Sequence, residues 1–477
     1  MPNRGDLKSE MTGRLIRKVR PTQMEDTTIF RGGCMKYKQV FLLLAALALG
    51  SLRLMAWGHI HLDITAAAYD ALPAWQQDIW SGQRVALINR YCLIPDIAQA
   101  PENRAELGAY IILPNGERFS HLPLGRRQDA YQMEYYFEKS IELLKAGDLD
   151  GASRYAGCLL HFLEDSGSPS HTMSGDNQLG LLKDLIPTPE EFKDRPLHGL
   201  VEEGELNFGL KDYKPRLLGT SSAEAIFNLI ERFNPMVRNS RSQIIPILEG
   251  VFNHDSAKAD AGRLRAATMD AEVVADALYT LLSIAKGHFD PAEVATLKVR
   301  DLSSLTPLEV INQSYFPQFT YFSNPYPGYP LRDATLEGGT VRRPLILNVV
   351  DNGSVTQRTF PHGIGLGTYS RLTYALPERV YDRFECLVGL QPQLGSRGAV
   401  IFTIYADGAA IYRSGLMTGQ DPAQKVSLRI WGVRDLSFSV EGRSQDRNSN
   451  YAVIAQPTLF KAEGLPPTNL VSSISFH

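Results

Sequence analysis

His161-Phe-Leu-Glu-Asp165-Ser-Gly-Ser-Pro169-Ser-His171 is the stretch on which the reading of this chain turns. If Tyr155 to Leu160 lead into it as a helix, His161 and Asp165 stand four apart, project from one face and reach one metal ion together. Pro169 lacks an N–H and disfavours helical geometry in the residue before it, so the helix stops and His171 is delivered from a turn. That placement suits a second ion beside the first. Taken alone, the same letters also describe a helix end with a capping aspartate and two hydrogen-bonded histidines.

The surrounding chain weights the metal reading. Of ten histidines, His59, His61, His121, His161, His171 and His198 fall between Trp57 and Leu200. Such clustering is what a multinuclear site leaves in a sequence. Trp57-Gly-His-Ile-His61 opens into an Ala-rich segment, Ile64 to Leu72, that reads as helix. If the chain is cut before Trp57, the free amine and carbonyl of that residue form a chelating pair; uncut, the nitrogen is an amide and a poor ligand. Pro95-Asp96 follows a helical stretch, Gln83 to Tyr91, and a Pro-Asp step suits a turn that aims a carboxylate inward. His121 lies in a loop ahead of an amphipathic helix, Asp129 to Ala146. His198-Gly-Leu-Val-Glu202 repeats the four-residue spacing of imidazole and carboxylate. Each of these alone also fits a turn residue, a solvated loop histidine or a surface pair.

Composition bounds the alternatives. The 477 residues allow two or three domains, and 44% hydrophobic content is ordinary for a globular protein. Lys and Arg total 49 against 52 Asp and Glu, net −3, so no bulk positive charge supports a stable nucleic-acid complex. Met35-Lys-Tyr-Lys, the apolar run Val40 to Leu52 and a small residue at Ala56 have the form of a secretory signal, with Met35 a candidate true start. The run is shorter than the roughly 20 residues a membrane-spanning helix takes. The mature chain is therefore expected to lack a transmembrane helix and to be secreted, periplasmic or held at the cell surface. Cys92, Cys158 and Cys386 remain after cleavage, an odd number and no disulfide framework. Buried thiols are expected, although a shared ion at Asp96 and His161 would bring Cys92 and Cys158 near enough to pair.

Helices are expected to continue over Ser222 to Phe233, Ser240 to Phe252 and Ala257 to His288, so the first half reads as all-helical. From Ser314 to Leu331 proline and aromatics crowd together, as in an interdomain strap. Beyond Gly338 the period turns to two. Phe384 to Leu390, Val400 to Ala406, Val426 to Ile430 and Leu436 to Val440 alternate, and Asp407-Gly408 supplies a hairpin turn, which together give a β-sandwich. The expected organisation is a leader over 1–56, an all-helical domain over 57–300, a linker over 301–338 and a sandwich over 339–463.

The ordered set Trp57, His61, Asp96, His121, His161, Asp165, His171, His198 and Glu202 resembles the zinc-dependent phospholipase C family, which shares its all-helical fold with the single-strand-specific S1/P1 nucleases. The resemblance implies up to three zinc ions. Asp96, His121, His161 and Asp165 would hold one; His171, His198 and Glu202 a second; Trp57, His61 and Asp165 a third, with Asp165 bridging. It also implies hydrolysis of a phosphoester by a metal-activated water, with Asp96 as the catalytic residue that orients or deprotonates it. The chain departs from the family pattern at Glu164, where relatives have Gly or Thr, at Ser166, where they have an aliphatic residue, and at Met173 and Gly175, where they have Ala and Asn. His59 competes with His61 as ligand, and Ile64 three residues beyond His61 favours His61, as in relatives. Gly339 to Lys461 resembles the NPCBM family of carbohydrate-binding modules, a galactose-binding-like sandwich. That resemblance rests on Gly363-Ile-Gly365, Phe384 through Gly389, Val400 through Gly408 and Trp431-Gly-Val433; the usual terminal Asp-His and Trp are altered over Asp446 to Tyr451.

The functions implied are a secreted phospholipase C-like enzyme acting on phospholipid or another phosphodiester, with a glycan as partner of the sandwich. A single-strand nuclease and a non-catalytic glycan-binding surface protein with a relic metal site are the alternatives.

Overall fold

The computed structural model describes residues 57–173, 179–312, 330–337, 341–367, 370–443 and 451–462. The leader, Gly175, most of the aromatic strap and Asp446 to Asn450 lie outside the described residues.

Six helices position the candidate site: α1 (Ile60–Asp70), α2 (Arg126–Ala146), α3 (Leu149–Gly167), α4 (Leu197–Glu202), α5 (Ser222–Phe252) and α6 (Ser256–Lys286). Helix α3 starts where the Asp148 carboxylate accepts from the Gly151 N–H, satisfying a donor the first turn leaves free. It ends at Gly167: Ser168, the residue before Pro169, is extended at φ −65°, ψ 127°, and a 3-10 turn over Ser170–Thr172 follows, as proline sterics require. Its middle turns, Ala156 to Ser166, are buried without a break, so α3 is the axis around which α2, α5 and α6 pack. Gly157 makes one approach possible. A Cβ there would sit 2.3 Å from the Tyr91 carbonyl oxygen, and this is where the 3-10 turn Tyr91–Leu93 lies against α3.

Two expectations change. The segments Ser222 to Phe233 and Ser240 to Phe252 are one helix, α5, with Pro235 and Pro246 inside it. Proline removes a hydrogen bond and crowds the preceding turn, but Phe227, Leu229, Ile230, Phe233, Met236, Ile244, Ile247 and Leu248 stay buried along its length, and that burial carries the helix through both positions. Parts of the range 301–338, expected as linker, also belong to the sandwich. Glu309–Asn312 pairs with Ser370–Ala375, and Leu331–Arg332 pairs with Gly363–Leu366. Edge strands of two to four residues are too short to leave a period-two signature.

The C-terminal part is an antiparallel sandwich. One sheet runs Gln424–Arg429, Tyr381–Leu390, Ala452–Lys461, Gly363–Leu366, Leu331–Arg332, with Val299–Asp301 also pairing to Ala452–Lys461; the other runs Ala409–Arg413, Ala399–Ala406, Asp435–Gly442, Ser370–Ala375, Glu309–Asn312, with Met417–Thr418 pairing to Ala399–Ala406. Inward residues of both, among them Phe384, Phe402 and Phe438, form the core, with the Phe384 and Phe438 rings 5.4 Å apart. A further hairpin, Leu345–Asp351 with Ser354–Phe360, turns at Asn352 and Gly353, both at positive φ, the conformation that an Asn-Gly pair supplies. It lays Leu345, Leu347, Val349 and Phe360 over Val453 and Ala455.

The two halves are joined by packing as well as by chain. Phe227 of α5 belongs to the sandwich core beside Leu302, Leu305 and Tyr381. Lys461 bonds Thr220 and Glu224, and Arg127 pairs with Asp435 at 2.8 Å. Cys92, Cys158 and Cys386 are free and buried; the Cys92 thiol donates to the Ile88 carbonyl, so the pairing considered from sequence is not formed.

Gly157→Ala is expected to lower stability by about 1–3 kcal/mol, the usual cost of overpacking against fixed backbone, and to push the Tyr91–Leu93 turn off α3. Denaturant melts of the two proteins check this; an unchanged midpoint would show that the close approach is not required.

Candidate metal centre

Each residue of the candidate centre is presented by a separate local device. His61 sits in the first turn of α1, after Trp57 and Gly58, both at positive φ. Asp96 lies in the short helix Ile94–Ile97, opened by Pro95. His121 is held in its loop by Gln132, whose side chain both accepts from the Ser120 N–H at 2.9 Å and donates to the Ser120 carbonyl at 3.0 Å. His161 and Asp165 occupy the last turns of α3, and His171 the 3-10 turn after it. His198 and Glu202 are one turn apart on α4, whose final carbonyls, Leu200 and Val201, accept from the buried Arg263 guanidinium at 2.8 and 2.9 Å.

These side chains converge around the Asp165 carboxylate. On one side, Asp165 Oδ2 lies 2.8 Å from His121 Nδ1 and 3.1 Å from His161 Nε2, and Asp96 Oδ1 lies 3.5 Å from His161 Nε2 and 3.7 Å from His121 Nδ1. On the other side, Asp165 Oδ1 lies 3.5 Å from His61 Nε2 and 3.4 Å from His171 Nδ1. Beyond them, His171 Nε2 is 3.3 Å from His198 Nε2 and 3.5 Å from Glu202 Oε1, and His198 Nε2 is 3.0 Å from Glu202 Oε2. A tetrahedral ion with bonds of about 2.0–2.1 Å spaces its ligands about 3.3–3.4 Å apart. The observed separations bracket that value. Among the described residues, Asp96, His121 and His161 form one group able to hold a metal ion and His171, His198 and Glu202 another; His61, His161 and Glu164 form a third.

The polar atoms show which positions are spoken for. His161 Nδ1 is 2.6 Å from the Cys92 carbonyl oxygen, which leaves its Nε2 facing the carboxylates. Glu202 Oε1 accepts from the Ser168 hydroxyl at 2.8 Å and from Ser170. By contrast His61 Nε2, Asp96 Oδ2, Asp165 Oδ1 and His171 Nδ1 are buried with no hydrogen-bond partner among the described residues. Each such atom costs about 1–3 kcal/mol if nothing fills it, and all four belong to residues of the same cluster. The residues present therefore fit a set of cations.

Charge points the same way. Burial alone would lower the His161 imidazole, but Asp165 and Asp96 beside it hold it well above its usual 6.5. Burial would raise Asp165, yet His161, His171 and the hydrogen bond from His121 hold it well below 3.8. Asp96 and Glu202 are lowered too: burial opposes this in both, and His161 outweighs it at Asp96 while His198 and His171 do so at Glu202. The pocket is built for positive charge. His61 and His161 are fully enclosed, while the His121 and His198 side chains keep 33% and 27% of their surface open, so the cluster faces solvent along those two imidazoles.

Of the nine residues singled out from sequence, eight side chains meet here. The Trp57 nitrogen, an amide in the full chain, donates instead to Glu202 Oε2 at 2.9 Å, and the Trp57 ring is buried. His59 is exposed and His61 enclosed. Ser168 and Ser170 on Glu202, and Thr65 and Glu164 behind His61, match no ligand spacing in the sequence. Glu164 carried a signal, since it was a departure from the family pattern inside the central motif.

Residues 331–460 match the family model NPCBM, described as NPCBM/NEW2 domain. No curated protein matches the chain. Among solved structures, the CBM51 module of Clostridium perfringens GH95, determined in complex with methyl-galactose, is similar over 34% of this chain and 99% of its own, at 24% identity and TM-score 0.28. The alpha-toxin of Clostridium perfringens from avian strain SWCP is similar over 85% of this chain and 97% of its own, at 10% identity and TM-score 0.29. The alpha toxin of Clostridium absonum is similar over 85% and 95%, at 9% identity and TM-score 0.29. The residues that match the NPCBM model lie in the sandwich, which follows the helical half, the order of folds read from the sequence.

His61→Ala is expected to reduce the metal retained by the purified protein, whereas His59→Ala leaves it unchanged. Elemental analysis of both variants after dialysis checks this; equal retention would remove His61 from the centre.

Proposed function

We propose that this protein is a secreted zinc-dependent phosphoric ester hydrolase of phospholipase C type. The observation that carries the reading is the Asp165 carboxylate, one oxygen turned to His121 and His161 and the other to His61 and His171, the arrangement a carboxylate shared between neighbouring ions takes. Imidazole nitrogen and carboxylate oxygen are the donors zinc favours. Asp96, His121, His161 and Asp165 would hold one ion, His171, His198 and Glu202 a second, and His61 and Asp165 a third, with Trp57 joining once its nitrogen is a free amine. When bound, such ions act as Lewis acids toward phosphoryl oxygen and lower the pKa of water to near neutrality.

The chain supplies the rest. Asp96 Oδ2, buried and unpartnered, is the acceptor positioned to orient a water and take its proton. Ser168 and Ser170 hold Glu202, and the Cys92 carbonyl holds His161, so the centre is rigid before substrate arrives. The phosphodiester enters past His121 and His198. Phospholipid is the substrate class that the family resemblance favours over single-stranded nucleic acid, and the near-neutral charge agrees. The NPCBM domain is proposed to hold the enzyme to a glycan-bearing surface, and cleavage before Trp57 to release the mature protein outside the cytoplasm.

The test offers phosphatidylcholine and single-stranded DNA in parallel to protein supplied with zinc. Lipid turnover abolished by a chelator and restored by zinc is expected; DNA cleavage alone would replace this reading with the nuclease, and inactivity on both with a binding protein. One residue added before Trp57 is expected to lower zinc content relative to protein that begins at Trp57. Equal content would remove the Trp57 amine from the centre.

A further inference from the structure

Glu164 is fully buried one residue before Asp165. Its two oxygens are both engaged. Oε2 lies 2.9 Å from His61 Nδ1, and Oε1 accepts from the Thr65 hydroxyl at 2.5 Å. Thr65 is one turn beyond His61 on α1 and is itself fully buried, so α1 grips both ends of one carboxylate from α3. The His61 atom left over is Nε2, buried without a partner and 3.5 Å from the equally unpartnered Asp165 Oδ1.

From this geometry we infer that Glu164 is a positioning residue that acts through His61. It accepts a hydrogen bond from Nδ1–H, which fixes the imidazole in the tautomer whose Nε2 lone pair faces Asp165, and Thr65 prevents the carboxylate from swinging away. A buried carboxylate behind an imidazole also makes the ring a stronger donor, and removing such a partner costs about 10- to 100-fold in metal affinity. Although Glu164, His61 and His161 lie close enough together to hold an ion as a group, the Glu164 oxygens already have hydrogen-bond donors and the unpaired atoms are His61 Nε2 and Asp165 Oδ1. The helix α3 thus contributes three side chains to one centre in two layers: His161 and Asp165 toward the ions, and Glu164 behind His61.

This inference rests on the metal reading of the site. Its test is zinc competition against a graded series of chelators on the full-length protein, with thermal melts of the metal-free forms alongside. Glu164→Gln keeps the shape and removes the charge. It is expected to weaken one ion by about 10- to 100-fold, with the others and the metal-free melting temperature unchanged. In a His61→Ala background the same substitution is expected to have no further effect on any ion, because Glu164 acts only through that imidazole. Unchanged affinity of every ion in Glu164→Gln overturns the inference, and so does complete loss of one ion at saturating zinc, which would make Glu164 itself a ligand. Should Glu164→Gln not fold, Thr65→Val is expected to weaken the same single ion by a smaller factor; no shift there overturns the inference equally. Wild-type protein that retains no zinc removes the metal reading and this inference with it, whereas wild type and variant retaining their ions alike removes this inference alone.

Discussion

A carboxylate with no access to water must be matched by positive charge or by hydrogen bonds on every lone pair. Asp165 is such a group, at the buried end of α3, and the helical half is arranged to match it. His121 and His161 answer one oxygen, while His61 and His171 stand about 3.4–3.5 Å from the other. Those four imidazoles come from a loop, from α3 itself, from the first turn of α1 and from a 3-10 turn. No single element could surround the carboxylate, because a helix offers only one or two positions to a given point.

The packing that brings these elements together is of ordinary kinds. Gly157 lets the Tyr91–Leu93 turn touch α3, and that contact places the Cys92 carbonyl against His161. Pro169 ends α3 in time to bring His171 back across its terminus. Arg263 from α6 holds the last carbonyls of α4, fixing His198 and Glu202. The groups facing the centre of the cluster are thus few, and a larger number behind them set rotamer and tautomer.

The sandwich is attached firmly. Phe227 from α5 enters its core, and Lys461 at the end of its last strand reaches back to Thr220 and Glu224. The edge strands Glu309–Asn312 and Leu331–Arg332 come from the range 301–338 expected as linker. A glycan-binding role for this domain would therefore fix the orientation of the candidate metal centre toward the bound surface, beyond merely tethering it.

The sequence by itself determined the order of the two folds, the C-terminal end of α3 and the residue types of the centre. These depend on local rules: period 3.6 against period two, the steric reach of Pro169, and the four-residue spacing of His161 with Asp165 and of His198 with Glu202. It could not join the two halves of α5, because a proline looks like a break until the buried residues on both sides are seen to share one core. Nor could it give Glu164 a partner, find the Cys92 carbonyl behind His161, or show that the uncut Trp57 nitrogen turns to Glu202. Each of those is a contact between residues some 70 to 145 positions apart, and only the packing of α1, the Tyr91–Leu93 turn, α3 and α4 against one another decides them. Local spacing tells which side chains can share a face; tertiary structure alone tells what stands opposite.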